Sequence, residues 1–205
     1  MSKEARRVRD RWRAKSWYDI VSPSYFGGKE IGRTLSGDPK SLIGRVFEDS
    51  LYTYTGDPAD QRTKLFFQIT SVEGAKASTV FKGHEYGRDY LRSLVRRGST
   101  RIDGIFDVTT KDGYRMRVSI VAFSLVRVKA SQETAVREIM RKIVNEKAKT
   151  LNFDQFAQEL VMEMITRDIY NEAKKIFPIR QVGARKSKLI ALPGIEKTVE
   201  EAAVA

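Results

Sequence analysis

Arg101-Ile102-Asp103-Gly104-Ile105-Phe106-Asp107-Val108-Thr109-Thr110-Lys111-Asp112-Gly113-Tyr114-Arg115-Met116-Arg117-Val118-Ser119-Ile120-Val121-Ala122 is the stretch that decides the fold. Asp112-Gly113 stands between two β-rich runs, and Asp-Gly in that setting is the strongest short-range hairpin signal. The runs predict strands over 101–110 and 114–128. On the second strand Tyr114, Met116, Val118, Ile120 and Ala122 share one face, while Arg115 and Arg117 sit on the other. The hairpin therefore shows an apolar side to a core and a cationic side to something else.

Upstream of the hairpin the sequence is also β-like. Trp17 to Val21 is a short strand that Pro23 stops, and Phe26 to Pro39, with four glycines, is expected to be a loop. Leu42 to Glu48 is a further strand, Tyr54 to Asp60 a loop, Lys64 to Glu73 a strand, and Ser78 to His84 the strand that pairs back after Gly74. Downstream of Lys129 the period changes to that of a helix. Val136, Ile139, Met140, Ile143 and Val144 form one stripe; Phe153, Phe156, Ala157, Leu160, Val161 and Met164 form another. Asn152 is the expected cap of the second helix, with Gln155 three residues on and Leu151 and Phe156 as its hydrophobic staple. A third helix runs from about Thr166 to Phe177 and ends at Pro178. A last strand covers Gln181 to Leu192. Strands followed by helices give an α+β fold, with a basic arm over 1–16, a β-rich body over 17–130, a helix-helix-helix-strand part over 131–192 packed on it, and a mobile tail over 193–205.

Composition narrows the function. The 205 residues carry 38 Lys and Arg against 26 Asp and Glu, a net charge of +12. Such an excess favours a polyanionic partner. The absence of cysteine excludes disulfide scaffolds, zinc fingers and thiol chemistry, and a single histidine excludes multi-histidine metal sites. No apolar run is long enough to cross a bilayer, and Met1 to Arg9 lacks the apolar stretch of a secretory signal. The expectation is a soluble, basic, intracellular protein without a metal or other cofactor.

Motifs that suggest enzymes fail on inspection. Gly27-Gly28-Lys29-Glu30-Ile31-Gly32-Arg33-Thr34 nearly fits a phosphate-binding loop, but Arg33 replaces the lysine and Gly37 and Pro39 forbid the helix that must follow. His84 has no evident nucleophile beside it and is expected to be a partly exposed histidine at a strand end. Asp103 and Asp107 are expected to form ion pairs with Arg101, Arg115 and Arg117 rather than a catalytic dyad.

Basic clusters are the sharper signal. Lys3, Arg6, Arg7, Arg9, Arg11, Arg13 and Lys15 face only Glu4 and Asp10 within residues 1–15, which reads as an arm ordered only against a partner, with Trp12 able to stack on a base. Residues 88–97 read as a short helix stopped by Gly98, with Leu91, Leu94 and Val95 inward. Arg88, Arg92 and Arg96 line one edge over about 12 Å, and Arg97 follows. Arg185, Lys186 and Lys188 form a third cluster, and Arg115 and Arg117 on the cationic side of the hairpin are further candidate RNA contacts. Basic charge spread over so many elements suits a protein embedded in folded RNA.

Several words recur here in a telling order: Trp17-Tyr18-Asp19-Ile20-Val21-Ser22-Pro23, Leu42-Ile43-Gly44-Arg45-Val46, Phe81-Lys82-Gly83, Ser93-Leu94-Val95-Arg96-Arg97, Thr109-Thr110-Lys111-Asp112-Gly113-Tyr114-Arg115-Met116-Arg117, and Phe177-Pro178-Ile179 running into Arg185-Lys186-Ser187-Lys188. Together they cover Lys15 to Pro193. In them the chain resembles the S-three-a-e family of archaeal and eukaryotic small-subunit ribosomal proteins, also classed as eukaryotic-type S-one, and its short C-terminal tail resembles the archaeal form. The resemblance implies a mixed β-barrel-like body with a helical C-terminal part, and a structural, non-enzymatic constituent of the cytoplasmic small ribosomal subunit. Its implied partners are small-subunit rRNA on the platform near the mRNA exit, neighbouring ribosomal proteins, and mRNA at the exit. Two positions depart from the family pattern: Ala184 stands where a β-branched residue is expected and Ser187 where valine is expected. A free RNA chaperone or RNA-processing enzyme using a weak acid or histidine site is the alternative, separable by co-sedimentation with small subunits in high salt.

Overall fold

The computed structural model describes Trp12 and residues 15–193. Those residues fall into two compact units. The first takes the chain up to Phe47 together with Phe67–Val80; the second takes Glu48–Phe66 and the chain from Phe81 on. Strands β3 (Val46–Ser50), β4 (Thr63–Glu73) and β5 (Lys76–Tyr86) run through both.

In the first unit β1 (Ser16–Val21) pairs antiparallel with β2 (Glu30–Ser36), Trp17 opposite Leu35 and Asp19 opposite Arg33. On its other edge β1 runs parallel to the start of β5, Ile20 opposite Ala77. Tyr18, Ile20, Leu42, Ile69 and Ala77 make the core, with Ile31, Phe47 and Val72 packed around it. The expected loop over 26–39 is thus half wrong. Gly27 and Gly28 do turn the chain, with φ of 90° and 60°, and Ser22 closes the turn by accepting the Lys29 N–H at 2.8 Å. But Gly32 lies in β2, where pairing with β1 satisfies its backbone; glycine content was read as a turn where tertiary pairing overrides propensity. Residues 27–34 are accordingly a turn and a strand, followed by a single 3₁₀ turn at Pro39–Leu42 rather than the α-helix a phosphate loop opens. The strand expected over 42–48 starts late as well, because Leu42 ends a 3₁₀ turn and Gly44 has φ of 90°.

The second unit holds the hairpin. β6 (Arg101–Thr109) and β7 (Arg115–Ser124) pair without a slip, Asp107 opposite Arg117 and Gly104 opposite Ile120. The final strand, β8 (Ile179–Ala191), inserts between β7 and the end of β5, antiparallel to both. The strand order there is β5-β8-β7-β6, β6 is an end of the hydrogen-bonded path, and the sheet does not close. The α+β class, the mixed sheet and the helical C-terminal part ending in a strand are as expected; the body is an open sheet.

Before the hairpin, α1 (Tyr52–Thr55) is a single turn ending at Gly56, and α2 (Arg88–Leu94) follows β5. After it come α3 (Ala130–Thr150), α4 (Phe153–Val161) and α5 (Met164–Ala173). Val136, Met140, Val144 and Ala148 of α3, Phe153, Phe156, Ala157 and Leu160 of α4, and Ile165 and Ile169 of α5 are buried. Lys147 ties the three helices together, its ammonium 3.1 Å from Glu159 and 3.3 Å from Asp168. Asn152 occupies the cap position of α4 but its side chain makes no capping bond. Instead the carboxylate of Asp112, in the hairpin turn, accepts the Phe153 N–H at 3.1 Å, and the Tyr114 and Phe153 rings stack at 4.4 Å. The apolar stripe of α4 does not reach Met164. The chain breaks at Glu163, which has φ of 59°, and Met164 opens α5 and is exposed. No helix among the described residues is long and apolar enough to cross a membrane.

Candidate nucleic-acid interface

The hairpin's cationic side becomes a sheet surface once β8 is in place. Across the strands Asp107, Arg117 and Lys188 stand in one row, and Ser119 and Lys186 in the next, opposite Glu85. Arg117 grips Asp107 with two hydrogen bonds, Nε at 2.7 Å and Nη2 at 2.8 Å. That contact, with the nearby charges of Arg117 and Arg115, holds the Asp107 carboxyl below its usual range. Lys186 pairs with Glu85 at 2.9 Å, and Arg101 with Asp103 at 2.9 Å. The expected ion pairs of Asp103 and Asp107 are therefore present. Among the described residues no ion pair engages Arg115 or Lys188. Arg185 is different: it is the extra residue at a bulge between the Ser119–Lys186 and Ile120–Ala184 pairs, it is half-buried, and its Nε has no acceptor.

A second basic surface surrounds α2. Arg88 and Arg92 are exposed on the helix, and Arg96 and Arg97 are exposed beyond it. No ion pair among the described residues engages any of the four. The expected straight edge of Arg88, Arg92 and Arg96 is not there, because the helix stops at Leu94 and Val95 is extended. Nor is Val95 inward; it is 51% exposed. The anchor that sequence reading missed is Tyr90. The Arg62 guanidinium lies 4.6 Å over its ring, Tyr86 meets it edge-on at 5.4 Å, and Gln181 donates to its hydroxyl at 2.6 Å. Arg180 donates to the Leu94 carbonyl and holds the other end of the helix. The spacing of Tyr90 and Leu94, four apart on one helix face, was the available signal. Gln181 and Lys188 are seven positions apart on β8, about 23 Å of strand, so the α2 and sheet clusters are two surfaces of one unit.

Of the arm, Lys3, Arg6, Arg7, Arg9, Arg11 and Arg13 lie outside the described residues, as do residues 194–205 of the tail. Trp12 is 69% exposed, and the Lys15 ammonium sits 3.9 Å over its ring.

His84 does lie near a strand end, two residues before the last residue of β5, but it is not partly exposed: it is 1% exposed. Its Nε2 bonds the Ala184 carbonyl at 2.8 Å and its Nδ1 meets the Ser187 hydroxyl at 2.7 Å, while Ser187 also accepts the His84 backbone N–H at 3.0 Å. A carbonyl can only accept, so Nε2 carries the proton and Nδ1 accepts from Ser187. Burial lowers the imidazole pKa to about 4, against smaller opposing effects of the Ala184 carbonyl and the Glu85 charge. A hydroxyl beside an imidazole suggests a nucleophile and its base, but Ser187 is 3% exposed and no substrate can reach it. Among the described residues no group of three His, Asp or Glu side chains is placed to hold a metal ion.

The sequence model of the Ribosomal S3Ae family matches residues 3–193. The chain belongs to the Ribosomal S3Ae family. It is 49% identical over 195 residues to a protein of Desulfurococcus amylolyticus, covering 95% of this chain and 92% of the relative, and 47% identical over 186 residues to one of Staphylothermus marinus, covering 91% and 88%. A relative from Archaeoglobus fulgidus is 46% identical over 198 residues, covering 96% and 94%. All three carry the name small ribosomal subunit protein eS1.

The words that mark this S3Ae chain have physical reasons in the fold. In Phe81-Lys82-Gly83, Phe81 is fully buried, and a Cβ on Gly83 would fall 2.1 Å from the Ser187 carbonyl oxygen. Of the two positions expected to depart from the family pattern, only 187 has a reason here: the Ser187 hydroxyl completes the hydrogen bonds of His84, which a valine side chain could not do, whereas the carbonyl at 184 is backbone that any residue would supply.

Proposed function

We propose that this protein is a structural constituent of the small ribosomal subunit that binds small-subunit rRNA and performs no catalysis. The observation that carries the reading is membership of the Ribosomal S3Ae family over residues 3–193, with relatives named as small ribosomal subunit proteins. Exposed arginines and lysines that no acid among the described residues engages support it. Arg88, Arg92, Arg96 and Arg97 at α2, and Arg115 and Lys188 on the sheet, are free to release phosphate counterions. Arg117, Arg185 and Lys186 add charge to the sheet surface, and the arm from Lys3 to Lys15 supplies further phosphate contacts. The position on the platform near the mRNA exit and the rRNA 3′ end, with neighbouring ribosomal proteins and mRNA within reach on cytoplasmic ribosomes, is the corresponding proposal for its place. The alternative of an RNA-processing enzyme that uses the histidine is disfavoured, because the one imidazole of the chain is sealed in the core.

The test is co-sedimentation. A tagged copy expressed in an archaeal host should travel with small subunits through a high-salt gradient at one copy per subunit. Release of the protein from subunits that keep their other proteins would contradict the proposal.

A further inference from the structure

α5 and β8 leave a cleft of about 200 Å³ between them, walled by Arg167 and Tyr170 on the helix and Arg180 and Gln181 on the strand. The cleft is cationic. Arg167 is exposed and engaged by no acid among the described residues, Arg180 spends one nitrogen on the Leu94 carbonyl, and the Lys174 ammonium stands 5.7 Å from the Tyr170 ring centre. Its single carboxylate, Glu163, is already engaged: the Tyr86 hydroxyl donates to it at 2.6 Å and Arg62 at 3.4 Å. Glu163 is also the one described non-glycine residue in the left-handed region, so a strained backbone forms the cleft's wall, and such strain gathers at ligand sites. On the strand side Gln181 and Arg180 are the residues that hold α2, which places the α2 surface, whose arginines no acid among the described residues engages, beside the cleft.

We propose that this cleft receives one unstacked nucleotide of the rRNA, its base against the Tyr170 ring and its phosphates at Arg167 and Arg180. The proposal rests on the rRNA-binding reading above and adds residues none of its clusters contains. The volume is below that of sites for drug-sized ligands, roughly 300 Å³ and more, and suits a single base. Aromatic rings flanked by arginines are the usual means of holding splayed single-stranded bases, because every base has a face to stack and a phosphate to grip.

The experiment has two arms, both with the full chain. In the first, small subunits carrying it are crosslinked with ultraviolet light and the protein is mapped by mass spectrometry; a nucleotide adduct on Tyr170 or its tryptic peptide is expected. In the second, affinity for an archaeal small-subunit rRNA transcript is titrated against salt. Tyr170→Leu should weaken binding about 5- to 150-fold, the worth of one stacked base, while Tyr170→Phe should stay within about twofold of the parent. Arg167→Gln should lower the salt slope by about one unit. If the parent fails to bind rRNA at all, the ribosomal reading fails and the cleft's role with it. If the parent binds while Tyr170→Leu and Arg167→Gln bind equally well, or Tyr170 crosslinks to a protein instead, the cleft proposal is overturned and rRNA binding stands.

Discussion

Lowering the pH should destabilise this protein through its one histidine, by an amount the structure sets. In the fold His84 is neutral, with Nε2–H bonded to Ala184 and Nδ1 accepting from Ser187. A proton on Nδ1 would take away the acceptor of the Ser187 hydroxyl and leave a charge buried without water. The folded pKa is accordingly about 4, against 6.5 in the unfolded chain. Between those values the unfolded state takes up a proton that the folded state refuses. The contribution is therefore fully present above about pH 6.5 and is lost as pH falls through 4. At 1.36 kcal/mol per pH unit the loss is about 2 kcal/mol at pH 5, with a ceiling of about 3 kcal/mol.

Urea unfolding of the parent and of His84→Gln at pH 7, 6 and 5 measures it. Carboxylates titrate alike in both chains, so the stability gap between them isolates the imidazole. The parent's advantage should shrink by about 2 kcal/mol from pH 7 to pH 5. Because the chain has a single histidine, its ring proton signal in an NMR spectrum is unambiguous, and it should hold its neutral position in the folded protein down to pH 5. A folded-state titration centred near 6.5, or a gap that does not change with pH, would refute the buried network.

The other predictions are simpler. Gly83→Ala should cost more than about 3 kcal/mol, because the methyl would meet the Ser187 backbone rather than a side chain that can turn away; at about 2–4 °C per kcal/mol a thermal melt should fall by at least about 6 °C, and an unchanged melt would show that β5 and β8 do not approach as described. Replacing Arg115 and Lys188 together with Gln should leave the melt unchanged and reduce the slope of log affinity for rRNA against log salt by about 2 units; an unaltered slope would remove the sheet surface from the interface. Deleting residues 2–14 should leave the melting temperature of the isolated protein where it was and lower its occupancy in purified subunits, since the six basic charges of that segment have two acids to meet within it; a large fall in melting temperature would show that the arm packs on its own body.

Local patterns carried the elements well. The hairpin at Asp112-Gly113, the α3 stripe and the burial of Phe156 and Leu160 all follow from turn chemistry and period, which need only a few neighbouring residues to be right. What failed has a common cause. β2 hides in a glycine-rich run because its strand state is stabilised by β1, not by its own residues. Asn152 looks like the cap of α4, yet Asp112, some 41 residues upstream, takes the bond; residue type marks where a cap is needed and not who supplies it. The break at Glu163 is invisible to periodicity, because the apolar spacing runs on through Met164.

The candidate interface was legible as composition and illegible as geometry. Excess charge announced a polyanion, but whether a given arginine is available depends on which acid stands across the sheet from it. Arg115 and Arg117 are two residues apart on one strand face, and only register decides that Asp107 takes Arg117 and leaves Arg115. The exposed Arg117–Asp107 pair contributes little stability. Its more consequential effect is to fix one guanidinium in a lattice where Lys188 lies next to it on β8. β8 supplies that neighbour only because the last strand returns to the middle of the sheet, a topology no local signal encodes. The same insertion buries His84 between Ala184 and Ser187 and brings Arg180 and Gln181 to α2. A strand placed late in sequence and central in the sheet thus gathers the basic words of α2, the hairpin and β8 into two surfaces. That is why the chemistry of this protein could be read from its residues while its arrangement had to be seen.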